Sequence, residues 1–146
     1  MTTATQGFTR STVLARRSTV IVITVLGVLA FNLLIYVVGR ACGGAFTYTQ
    51  SGRTSRVDAA AVAAMSVAPA TIGLTLVAWL SQRWPGLVTT AKVIAPVLAV
   101  ATIGLMTLPA RFDTTSTLFL ATMHLALIPG TVLALGAFTP RHAEFR

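Results

Sequence analysis

His124 is the one titratable side chain in a run, Thr114 to Pro140, that carries no charged residue. An imidazole in such surroundings can ligate a metal or haem, respond to protons, or pair with another polar side chain. A bis-histidine haem needs a second histidine inside the membrane, and the only other one, His142, lies in the C-terminal tail. Copper would find soft ligands in Met65 and Met123, but methionines in apolar helices are far more often packing material. The acids Asp58, Asp113 and Glu144 fall at expected helix ends or in the tail, so no catalytic triad assembles. The residues imply no enzyme, no cofactor and no metal, and leave pairing or proton response as the chemistry of His124.

Helical geometry narrows the choice. At 100° per residue, Asp113, Thr117, Thr131 and Leu135 fall within about 20° of His124. A polar stripe of this kind faces protein or water rather than acyl chains. Rise per residue puts His124 about 12 Å from the outer boundary, Asn32 and Ser66 about 10 Å, and Thr102 about 9 Å. The expectation is a polar layer of His124, Asn32, Ser66 and Thr102, with a histidine latch worth about 0.6 to 2 kcal/mol. The competing reading is a proton-responsive or ligand-binding histidine in a cavity. Small proton-coupled drug exporters resemble the chain in length and topology only, because they rely on a carboxylate in the first helix, where this chain has Asn32.

The elements that must position these groups follow from composition. Apolar residues make up 55% of the 146 and charged ones 10%, against about 25% charged in a soluble domain, so lipid must cover part of the surface. Charge-free gaps run from Ser18 to Gly39, Ala59 to Gln82, Val93 to Ala110 and Thr114 to Pro140. Each approaches the roughly 20 helical residues that cross a bilayer core. The predicted fold is an all-α, integral membrane four-helix antiparallel bundle with helices at 18–39, 59–80, 87–108 and 114–138. Residues 1–17 are read as a flexible basic tail, 40–58 as an outer loop and 139–146 as a second tail. Asp58 and Asp113 are the expected N-caps of the second and fourth helices. The sequence around Ser51 and Gly52 alternates in a way that suits a small hairpin.

Small residues in "DAAAVAAMSVAPA" make the second helix the expected centre of the bundle. Pro69, Pro96 and Pro129 each fall inside a helix, freeing the carbonyls of Met65, Lys92 and Leu125. The apolar run Thr19 to Val38 is longer than a signal-peptide core and lacks a cleavage signature after it, so it reads as an uncleaved anchor. Cys42 is the single cysteine, so no disulfide forms within the chain.

The formal charge of +8 does not imply nucleic acid here, because the basic residues cluster at helix ends. Anionic lipid headgroups are the expected partners. Arg10, Arg16, Arg17, Arg83, Lys92, Arg141 and Arg146 fall on one side, against Arg40, Arg53, Arg56 and Arg111 on the other. The positive-inside rule then sets both termini in the cytoplasm. Trp79 and Trp84 at the inner end, and Tyr36 and Phe46 at the outer end, suit interfacial belts.

The second helix, the short basic and aromatic turn, the proline-ended third helix and "DTTSTLFLATMHLALIPG" are similar to the small actinobacterial membrane proteins grouped as domain of unknown function 6069. The resemblance spans about residues 55–138 and is most specific at Asp113, Thr114, Met123, His124 and Leu125. It implies a four-helix membrane protein and supplies no substrate. The reading that follows is a plasma-membrane, multi-pass structural or accessory protein, with a homo-oligomer or another membrane protein as possible company. The alternative is a small transporter or sensor in which His124 titrates.

Overall fold

A computed structural model describes the backbone of residues 3–50 and 52–139, and the side chains of 15–49 and 52–139. Four helices, α1 (Thr3–Ala41), α2 (Ala59–Leu80), α3 (Leu87–Thr102) and α4 (Thr114–Ala137), carry the fold, with a hairpin of β1 (Thr47–Gln50) and β2 (Arg53–Arg56) between the first two. All four are long and apolar enough to cross a membrane, taking α3 together with the π-helical turn Ile103–Thr107 that extends it. The fold is an all-α four-helix bundle. Of the tail expected at 139–146, residues 140–146, with His142 and Glu144, lie outside the described residues.

The caps explain where the helices start. Asp58 accepts a hydrogen bond from the Ala61 amide at 2.8 Å, and Asp113 accepts one from the Ser116 amide at 2.8 Å, each satisfying an amide that the first helical turn leaves unpaired. The helix α3 opens after the Pro85–Gly86 turn with no side-chain cap. Its last turn widens into the π-helical segment, where the Leu108 amide bonds the Ile103 carbonyl. Proline inside α2, α3 and α4 does not end any of them.

Two expectations are corrected at this level. The first helix begins at Thr3 rather than at Ser18, so it takes in most of the basic segment 1–17. The long apolar stretch behind Arg17 supplies the nucleus, and extending a formed helix outward is far easier than starting one. The second helix is not the centre either. The helix α1 packs against α2 and α4, α4 against α1 and α3, and α2 meets α3 and α4 only slightly. Its alanines largely face outward, and only the stripe Val62, Ser66, Ala70, Leu74 and Ala78 is buried. Glycine rather than alanine sets the close α1–α4 approach: a Cβ on Gly39 would lie 2.8 Å from Phe119, and one on Gly130 would lie 3.3 Å from Val28.

Two apolar clusters divide the core by depth. The one at the hairpin end, termed outer after the expected orientation, joins Ile35, Tyr36, Phe46, Val62, Leu120 and Met123. The inner one joins Leu74 and Ala78 of α2, Val88 of α3, and Ala134, Leu135 and Phe138 at the end of α4.

Candidate functional site

Between the two clusters lies a polar contact. The Asn32 side-chain amide donates to the Ser66 hydroxyl at 2.8 Å, linking α1 to α2, with each residue 3% exposed. Asn32 and Ser66, expected at one depth, meet across the helix pair. Asn32 Oδ1 is fully buried and has no hydrogen-bond partner. One serine cannot answer both ends of an amide, so the pair is half satisfied.

His124 and Thr102 do not join that pair by hydrogen bonds. Nδ1 of His124 lies 2.8 Å from the Leu120 carbonyl, and the Thr102 hydroxyl donates to Leu98 at 2.6 Å. Each answers a carbonyl four residues back on its own helix, as Thr122 does with Leu118 and Thr131 with Leu127. Depth from the sequence says nothing about azimuth: Met123 faces the outer cluster, and His124 stands one residue further round the helix, half-buried. Met65 is 76% exposed while Met123 is core, so the sulfur atoms do not converge on the imidazole. Among the described residues, no group of three or more His, Cys, Asp or Glu side chains is placed to hold a metal ion.

Sequence reasoning missed a plug at the outer end. Phe46 is fully buried, its ring 4.9 Å from that of Tyr36. Cβ atoms on Gly39 or Gly44 would each meet it at 2.8 Å. Neither aromatic ring forms an interfacial belt, because both fill the core, and the Tyr36 hydroxyl donates to the Val57 carbonyl. Phe46 takes a left-handed backbone, φ 55°, which costs a non-glycine residue of order 1–3 kcal/mol and persists only under several constraints. Those constraints are visible. Its amide donates to the buried Ser116 hydroxyl at 2.8 Å, its carbonyl accepts from Val57, and the Ala45 amide reaches Asp113. Asp113 also accepts from the Ser116 hydroxyl, so one carboxylate caps α4 and holds the loop. Hydrogen bonds, first from the Ser116 hydroxyl and then from the amides of Ser116 and Ala45, hold the Asp113 carboxyl below its ordinary value of 3.8. Arg40 closes the same turn by donating to the Gly44 and Ala45 carbonyls.

A second missed feature lies at the inner end. Arg17 donates to the carbonyls of Ala78, near the end of α2, and of Phe138, at the end of α4, and lies over the Phe138 ring at 5.8 Å. The guanidinium meets helix C-termini, where carbonyls lack intrahelical donors and the dipole is negative. Trp79 and Trp84, by contrast, are 63% and 61% exposed.

Four apolar spans, of which α1, α2 and α4 are tied to one another by polar side chains, define a multi-pass membrane protein of the four-helix class. The chain belongs to a family of unknown function, DUF6069, whose model matches residues 12–140. That match takes in the first helix and the outer hairpin as well as the motif in α4. No protein of curated function and no solved structure matches the chain.

Proposed function

We propose that the protein is a structural or accessory component of the plasma membrane, with both termini cytoplasmic, working as a fixed framework rather than by substrate turnover. The observation that carries this reading is the Asn32–Ser66 bond in the dry interior. Alternating access needs helices that separate around a site, and here α1 and α2 are bonded at mid-depth and fastened again above and below. The charge distribution supports the orientation, seven basic residues against four. Anionic headgroups are the natural partners of the basic side chains at the inner face that no carbonyl engages. A homo-oligomer or a membrane-protein partner would occupy part of the exposed apolar surface.

The second reading, a small transporter or proton-responsive sensor, has one observation in its favour: His124 is half-buried, and only Nδ1 is bonded to the described residues. Reconstitution into liposomes with an enclosed pH dye separates the two. The framework reading expects no proton flux above that of empty vesicles, and no difference between the parent and His124→Leu. A flux that His124→Leu abolishes would establish the sensor or transporter instead. Orientation is tested separately by a C-terminal tag, which should resist protease added outside intact cells.

A further inference from the structure

The contact of His124 with Leu120 fixes more than its rotamer. A carbonyl oxygen can only accept, so the proton of the neutral ring sits on Nδ1 and the basic lone pair on Nε2. Among the described residues Nε2 has no hydrogen-bond partner. A polar atom left unpaired in hydrocarbon is costly, and buried polar groups are ordinarily bonded.

The direction of the ring follows from α4. Leu135, eleven residues further on, lies about 20° from His124 on the helical repeat, and it packs with Leu74 and Ala78 of α2 and with Val88 of α3. Carried about 16 Å toward the outer end, the same face puts Nε2 over the groove between α2 and α3. That groove is open to the side, since α3 lies along α4, meets α2 only slightly and does not touch α1. At this level Ala99 and Thr102 of α3, and Ile103 just beyond it, are half-buried. Of the helices that pack on α4, α3 carries Lys92, about two turns nearer the inner end, and α1 carries Arg16 and Arg17 near that end and Arg40 at the other.

We propose that Nε2 of His124 is a binding site for a lipid-soluble hydrogen-bond donor, a molecule with a long apolar body and a hydroxyl or undissociated carboxyl head, entering sideways between α2 and α3. The acceptor lies in oil, so its partner must dissolve there. It offers a lone pair, so the partner must bring the proton.

The chain has two histidines, so His142→Gln leaves one imidazole signal. In phospholipid nanodiscs, 15N-histidine-labelled protein should show the neutral Nδ1–H tautomer. Addition of 1-hexadecanol or hexadecanoic acid should shift the Nε2 resonance saturably, while n-hexadecane should not. A response to the alcohol alone assigns a hydroxyl head, to the acid alone a carboxyl head, and to both a general donor site. No shift with either donor, an equal shift with hexadecane, or an Nε2–H tautomer at the start overturns the proposal. None of those failures touches the framework reading, which rests on Asn32 and Ser66.

Discussion

Asn32 and Ser66 form a contact whose two halves differ in what their removal leaves behind. Ser66→Ala strands the whole Asn32 amide in a dry interior, and an unsatisfied buried polar group costs about 1–3 kcal/mol. Asn32→Leu removes the bonded donor together with Oδ1, which has no partner in the parent, so the loss should stay near the roughly 0.6 kcal/mol typical of membrane hydrogen bonds. Thermal midpoints in one detergent should therefore rank Ser66→Ala below Asn32→Leu, with the double variant recovering toward the parent. The reverse order would mean that the Asn32 carbonyl has a partner. Asp113 gives a residue-scale prediction of opposite character, exposed and charged. Its folded value lies below the ordinary 3.8, so its contribution is complete above 3.8 and is lost as pH falls through the folded value. Acidification through that window should lower the midpoint of the parent more than that of Asp113→Asn, which keeps a capping oxygen without the charge. Equal acid sensitivity in the two would take Asp113 out of the account.

At the scale of elements, the α1–α4 contact depends on Gly39 as a space and not as a hinge. A methyl there would meet Phe119 and Phe46, each at 2.8 Å, and overpacking of this kind typically costs about 1–3 kcal/mol. Gly27 lies in the same helix with nothing within 4 Å of a built Cβ, so Gly27→Ala should gain about 0.5–1 kcal/mol of helix propensity. Opposite shifts of the unfolding midpoint in these two variants would establish that packing, and not helix formation, is what Gly39 provides. The difference marks what the sequence could reveal. Apolar length, Asp58, Asp113 and the Pro85–Gly86 turn are local signals, and they fix the helix spans to within a few residues after Arg17. Azimuth and neighbour order are not local. The alanine run of α2 looked central, whereas close approach is set by Gly39 and Gly130, whose role depends on residues about 80 to 100 positions away. The π-helical turn at Ile103–Thr107 carries no proline or cap to announce it. Phe46 next to a polar hairpin reads as an interfacial ring until Gly39, Gly44 and Ser116 are seen to form its socket.

For the molecule as a whole, the end of the bundle opposite the hairpin brings Arg17 of the first helix against the ends of two others. The helices α2 and α4 both end there, and the last carbonyls of a helix have no intrahelical backbone donor; that of Ala78 also accepts from the Ser81 hydroxyl and the Gln82 side-chain amide. Arg17 supplies a donor from the first helix, reaching Ala78 and Phe138 across separations of 61 and 121 residues. A planar fork can serve two carbonyls at once, while an ammonium serves as a point charge. Arg17→Ala should therefore lower stability by up to about 1.5–3 kcal/mol, the range for hydrogen bonds to charged groups, and Arg17→Lys should fall between that variant and the parent. Arg16 is exposed and is the internal control for a charge that only meets headgroups. Measured in an uncharged detergent, Arg16→Ala should be neutral, because no anionic lipid is present for it to bind. If Arg17 worked through headgroups its effect would vanish there too; as a clamp on two helix ends it persists, and added salt, which screens surface pairs, leaves most of it in place.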